Sequence, residues 1–190
     1  MTSFESSLAI LDSAEFFSNI DKYDSLSWIS KPDSGEVYID QSKFSKIDET
    51  IYSAKDKKMD LVYLEMAEVW SKNSHCNRMK VGSLIVKGKS IISDGYNGSP
   101  TGFSNQCENE ENVTLPYVLH AEANAITKLA KSTQSSDGST LYVTVSPCFE
   151  CSKLIIQSGV KRMIFRDLYR KTDSLQFLHD AGIEIVRIRE

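Results

Sequence analysis

Three observations predict an α/β fold, a three-layer α/β/α arrangement built on a five-stranded mixed sheet with helices on both faces. Helix-period segments alternate with strand-period segments from residue 95 onward. Two earlier strand patterns, 81–86 and 90–94, are separated by only Lys87-Gly88-Lys89, a hairpin connection with no room for a crossover. No apolar run approaches the roughly 20 residues needed to cross a bilayer. Strands joined through helices lie parallel and strands joined by a tight turn lie antiparallel, so the sheet must be mixed.

The elements follow in order. Val62, Met66, Val69 and Trp70 fall at helical spacing and predict an amphipathic helix over 60–73. After the hairpin comes a polar loop over 95–116, a length uncommon in compact domains unless the loop has a task. Helices are then expected over 120–131, 147–158 and 174–181, and strands over 140–145, 162–166 and 184–188.

Residues 1–57 read as a separate N-terminal extension. They contain no Cys, His or Arg, and hold 11 acids against 6 lysines, whereas residues 58–190 hold 15 acids against 16 basic residues. Phe4, Leu8, Leu11 and Phe17 hint at a helix, 36–40 at a short strand, and 31–35 at a turn. Eight aromatics in this stretch favour a partly ordered docking appendage over a free tail. Neither part carries the basic excess expected of a protein that grips a long polyanion, which points to a small ligand and away from nucleic acid. The N-terminus lacks a basic leader, and Glu5, Asp12 and Glu15 interrupt its apolar positions, so the expected location is the cytoplasm, with no membrane association. With no export signal, the four cysteines are expected to be metal ligands or free thiols and not a disulfide framework.

Two segments carry chemistry, His120-Ala121-Glu122 and Pro147-Cys148-Phe149-Glu150-Cys151. Proline suits the first turn of a helix, where its missing N–H costs nothing, so Cys148 and Cys151 should share one face of an opening turn. A helix N-terminus lowers thiol pKa values, and the thiolate is the form that binds zinc. A catalytic zinc takes three protein ligands and leaves a fourth position to water; His120, Cys148 and Cys151 make such a set, with Glu122 free to face the open position. A structural zinc knot would want a fourth protein ligand and have no use for Glu122. The pattern H-x-E followed by P-C-x-x-C is the signature of the zinc nucleobase deaminases, in which the glutamate shuttles protons while the ring is attacked and ammonia leaves.

Residues 60–190 resemble the deoxycytidylate (dCMP) deaminases within the cytidine deaminase-like superfamily. Besides the zinc segments, the resemblance rests on Arg78-Met79-Lys80-Val81-Gly82, Gly95-Tyr96-Asn97-Gly98-Ser99-Pro100, Asn124 two residues after the glutamate, and Tyr142-Val143-Thr144-Val145. It implies a cytidine deaminase-like fold and conversion of dCMP to dUMP with Zn2+ as cofactor. It also implies sugar binding by Asn97, a base-carbonyl contact from the Ala121 N–H, and an amine contact from the Ser146 carbonyl. Asn97 has a plainer reading too, since Asn-Gly is a strong turn signal. For the phosphate, Arg78 is the first arginine of the chain and a planar guanidinium suits that anion; Lys80 and Tyr169 are weaker candidates. Further implications are a homo-oligomer, by resemblance a hexamer, and dCTP and dTTP effectors with Mg2+ on the triphosphate. Some relatives hold a second, structural zinc, for which His75, Cys76 and Cys107 would serve, with Glu108 or Glu110 as fourth ligand; otherwise the two cysteines are buried or free thiols. His179 reads as a surface or packing residue. A tRNA adenosine or free-base deaminase on the same scaffold, and a catalytically silent nucleotide sensor, are the rival readings.

Overall fold

The computed structural model describes residues 29–30, 38–39, 54–170 and 173–188. The chain divides into two units, 1–40 and 41–190. Of the first, the described part is an antiparallel ribbon of β1 (Ile29–Ser30) and β2 (Tyr38–Ile39), with Ile29 opposite Ile39. β2 falls within the strand expected over 36–40; the turn over 31–35 and the helix marked by Phe4 to Phe17 lie outside the described residues.

In the second unit the elements are α1 (Ala54–Ser71), β3 (Gly82–Lys87), β4 (Ser90–Tyr96), α2 (Ala121–Leu129), β5 (Thr140–Val145), α3 (Phe149–Gln157), β6 (Arg162–Asp167), α4 (Asp173–Asp180) and β7 (Glu184–Arg187). The sheet order is β4-β3-β5-β6-β7. β3 runs antiparallel to both β4 and β5, while β5, β6 and β7 are parallel. This is the mixed five-stranded sheet expected from the short hairpin and the later crossovers.

Strand residues alternate between two buried faces. Leu84, Val86, Tyr142, Ile164 and Ile188 form one cluster with Tyr63, Leu64 and Ala67 of α1. The alternate positions, Ile85, Leu141, Val143, Met163 and Phe165, are equally buried and face the layer that holds α2. Beneath α1, a buried network ties helix to sheet: Tyr142 Oη donates to Asp60 Oδ1 at 2.5 Å, and Arg162 Nη1 donates to Asp60 Oδ2 at 2.8 Å.

The helix α1 forms as expected, but on a different face. Val62, Met66, Val69 and Trp70, whose spacing predicts the helix, are 37–59% exposed, and Asp60, Tyr63, Leu64 and Ala67 are buried instead. The reason is the close approach of α1 to β3. A Cβ on Gly82 would overlap the Ala67 carbonyl, so the inward face needs an alanine there, not a bulky apolar side chain. α2 is seated equally closely: a Cβ on Gly95 would overlap the Ala121 carbonyl and crowd the Ala125 N–H. Ser83 Oγ donates to the Ala121 carbonyl at 2.8 Å and Ser93 Oγ to the Ala125 carbonyl at 2.6 Å, so two buried hydroxyls pin α2 to β3 and β4.

Gly95→Ala is expected to destabilise the protein by about 1–3 kcal/mol, as overpacking does. Because the displaced helix carries His120 and Glu122 at its start, zinc affinity should fall with it. Urea unfolding and a metal-competition titration on the same variant check both effects.

Candidate zinc site

Register gathers the site at one end of the sheet. Because β3 is antiparallel to β5, with Ser83 opposite Val143, the start of β3 lies beside the end of β5. The ends of β4, with Tyr96 opposite Gly82, and of β6, with Asp167 beside Val145, lie there as well. Residues just before β3 (Arg78, Lys80), after β4 (Asn97), after β5 (Ser146, Cys148) and after β6 (Tyr169) therefore share the rim where open α/β sheets hold their ligands. The bridge between Gly98 and Leu119 brings the chain back to that rim immediately before His120.

His120 is the N-cap of α2 and Cys148 the N-cap of α3, both with extended backbone (ψ 158° and 169°). Sequence placed Pro147 inside the first turn of α3; it stands one residue before the cap. The cap position still puts Cys148 and Cys151 at the two ends of one opening turn. His120 Nδ1 lies 3.4 Å from each of the two Sγ atoms. The ligand atoms of His120, Cys148 and Cys151 all fall within 4.8 Å of one another, the only such group of three among the described residues.

The sulfurs are electrostatically unequal. A hydrogen bond from the Cys151 thiol, aided by His120, lowers the Cys148 pKa to about 4 against the opposing effect of burial. That of Cys151 is pushed up by its hydrogen bond to Cys148 and by burial. The hydrogen bond to Cys148 also raises the pKa of His120. One imidazole nitrogen and two sulfurs form the donor set that zinc prefers.

Glu122, two residues into α2, is 4% exposed. Burial raises its pKa to about 7, opposed by its backbone hydrogen bond and by His120. It also hydrogen-bonds the Cys151 thiol, which places the carboxyl against the ligand set.

The remaining expected residues lie around this centre. Ala121 is fully buried at the start of α2. The Ser146 N–H donates to the Asp167 carbonyl at 2.8 Å. Asn97 Oδ1 accepts the Val81 N–H and Asn97 Nδ2 donates to the Met79 carbonyl, both at 2.8 Å, so its carboxamide ties the segment before β3 to the end of β4. Asn124 Nδ2 donates to the Tyr96 carbonyl at 2.9 Å and fastens α2 to the same strand end. Arg78 is exposed and donates from Nη1 to Thr114 Oγ1 at 3.0 Å; Lys80 is exposed too. Tyr169 is half-buried and carries the Arg170 guanidinium over its ring at 5.4 Å. His179 is exposed at the end of α4, with Nδ1 3.6 Å from Asp180 Oδ1.

One expectation needs correction. Cys76 and Cys107, read as metal ligands or free thiols, are both buried and joined in a disulfide. The long loop folds back on the segment after α1, a proximity that spacing alone does not reveal. Sequence reasoning also missed Glu108 as an anchor: buried, its carboxylate accepts the Asn77 and Arg78 N–H groups at 3.1 and 3.3 Å. A cavity of about 500 Å3 beside it is lined by His75, Asn77, Gln106, Glu108 and Glu110 among others, and by none of the three zinc-set residues.

The comparisons agree with this geometry. Residues 57–167 match the model of the cytidine and deoxycytidylate deaminase zinc-binding region. The chain is 33% identical over 168 residues to the deoxycytidylate deaminase of Enterobacteria phage T4, covering 66% of this chain and 87% of that one. It is 38% identical over 120 residues to the deoxycytidylate deaminase of Homo sapiens, covering 58% and 66%. The crystal structure of dCMP deaminase from the cyanophage S-TIM5, in complex with dCMP and dUMP, superposes with a TM-score of 0.68 at 47% identity, covering 72% of this chain and 98% of that one.

The buried carboxyl predicts a pH signature for the metal-free protein. Between the ordinary value of 4.5 and about 7, folded Glu122 holds a proton that the unfolded chain has released. Its contribution to stability therefore falls as pH rises through that window, by about 3 kcal/mol in all. Denaturation of the metal-free parent and of Glu122→Gln across pH 4–8 should show that extra slope in the parent alone.

Proposed function

This chain belongs to the family of cytidine and deoxycytidylate deaminases, and from that premise we propose that it hydrolyses dCMP to dUMP and ammonia with zinc at His120, Cys148 and Cys151. The observation that carries the reading is the triangle of Nδ1 and two Sγ atoms with a buried carboxyl against it. The likeness to a dCMP deaminase that binds dCMP and dUMP supports the choice of nucleotide. Residues 58–190 form the deaminase domain in this reading, and 1–57 an extension.

Zinc, when bound, supplies a water acid enough to give up its proton near neutral pH. Glu122 would take that proton on its carboxylate and deliver it to N3 of the cytosine ring as the oxygen adds at C4. It would then take the proton of the new C4 hydroxyl and pass it to the amine, so that ammonia leaves as the C4 carbonyl forms. Its pKa of about 7 suits a group that must both accept and donate at neutral pH. The Ala121 N–H, at the start of α2, meets the base carbonyl, and the Ser146 carbonyl meets the exocyclic amine. Asn97 uses two of its four hydrogen-bonding positions on the backbone, which leaves capacity for the sugar. Arg78, Lys80 and Tyr169 meet the phosphate, from the segments before β3 and after β6.

The resemblance supports regulation as well: dCTP and dTTP as effectors, Mg2+ on the triphosphate, and a homo-oligomer, a hexamer by resemblance. The cytoplasm is the proposed site of action. A second zinc on His75, Cys76 and Cys107 requires the disulfide to be opened first, because the thiolate is the form that binds the metal.

Glu122→Ala is expected to keep one zinc per chain and to lose at least ~10²-fold in ammonia release from dCMP, the usual share of general acid–base catalysis. Turnover close to the parent's would refute the proton-carrying role. The same assay on CMP, deoxycytidine and guanine tests the substrate, and dCTP added to the dCMP reaction tests regulation. Arg78→Ala should raise the KM for dCMP about tenfold and leave deoxycytidine turnover unchanged; an unaltered KM removes Arg78 from the phosphate site.

A further inference from the structure

The turn that carries the two cysteines is gripped residue by residue from a part of the chain that supplies no ligand. The Ser146 N–H donates to the Asp167 carbonyl at 2.8 Å, and Ser146 Oγ accepts the Tyr169 N–H at 2.7 Å. Pro147 has no N–H, so its carbonyl is its sole backbone polar group. That carbonyl accepts the Ser174 hydroxyl at 2.7 Å. Phe149 stacks on Phe177, with ring centroids 4.7 Å apart and planes inclined by 25°. Cys148 thus sits between neighbours on both sides that are anchored to the end of β6 or to α4.

Ser174 is the informative member. It is wholly buried as the second residue of α4, where a serine hydroxyl can bond back to a neighbouring backbone group of its own segment. Here it is a donor to another element. Ser152 and Ser158, by contrast, bond back to carbonyls of α3 or its cap. As an N-cap, Cys148 has extended backbone and no helical turn before it to fix its Sγ. Its position relative to His120 and Cys151 follows from how firmly Pro147 and Phe149 are held.

We propose that Ser174 and Phe177 are positioning residues for Cys148, setting its sulfur at the spacing from His120 and Cys151 that zinc requires. The inference rests on the deaminase reading and extends it to the fourth helix. Groups that orient a metal ligand from behind are commonly worth 10–100-fold in metal affinity.

The test compares the full chain with Ser174→Ala, Phe177→Leu and Ser158→Ala. Zinc affinity is read by chelator competition, and the thiolate-to-metal absorption band is read on cobalt-loaded protein. Ser174→Ala is expected to weaken zinc binding about 10–100-fold and to shift the cobalt band, and its loaded form to lose kcat with KM for dCMP little changed. Phe177→Leu should act in the same direction and decides the matter alone if Ser174→Ala does not fold. Ser158→Ala removes a hydroxyl at the far end of α3 and should match the parent. Parent-like zinc affinity and an unshifted band in both α4 variants would overturn the proposal, as would an equal shift in Ser158→Ala, which would mark general loosening. A parent chain that takes up no zinc would fail earlier and would sink the deaminase reading itself.

Discussion

Two 3.4 Å contacts from His120 Nδ1 to the sulfurs of Cys148 and Cys151 set the terms for everything around them. Three metal-seeking atoms are brought within 4.8 Å of one another by the starts of two helices. Each comes from the start of a helix, and a helix start is a costly place to leave loose, because its first N–H groups have no intrahelical partner. Both starts are tied down at short range. α2 is drawn onto the sheet by Gly95, Ser83 and Ser93, and α3 is held through Ser146, Pro147 and Phe149. The hydrogen bond between the two thiols and the nearby His120 lower the pKa of Cys148, while the same bond and burial raise that of Cys151. His120, Cys148 and Cys151 would hold zinc here, and because the thiolate is the form that binds, metal uptake would release protons.

The sheet's mixed order does a second job. An all-parallel sheet would bring only strand ends to the rim. Because β3 runs against β5, its beginning reaches the same rim and carries Arg78 and Lys80 to the side where His120 and Cys148 stand. The Asn97 carboxamide joins those two regions by bonding to Met79 and Val81, so one side chain stitches the segment before β3 to the end of β4.

Much of this was legible in the sequence. Strand and helix patterns after residue 80 gave the sheet, since period-2 and period-3.6 runs with short connections leave few topologies. The zinc set was legible because the chemistry of H-x-E and P-C-x-x-C is carried by residue type and local spacing. What escaped was set by contacts between distant segments. The apolar stripe of α1 pointed to a buried face, yet Gly82 lets the sheet come so close that Leu64 and Ala67 take the inside. Cys76 and Cys107, 31 residues apart, meet only because the long loop folds back. Ser83, Ser93 and Ser174 look like ordinary surface serines until the structure buries them against carbonyls. Hydroxyl partners of this kind leave no periodic trace.

Two buried glutamates show how environment separates structure from chemistry. Glu108 is 7% exposed and Glu122 is 4% exposed, so exposure alone does not distinguish them. Glu108 accepts backbone N–H groups from Asn77 and Arg78, 31 and 30 residues away, and so fixes the segment after α1. Glu122 leans on its own backbone and on the Cys151 thiol, and its pKa rises to about 7. The first is a clamp. The second stands beside the three atoms that could hold a metal.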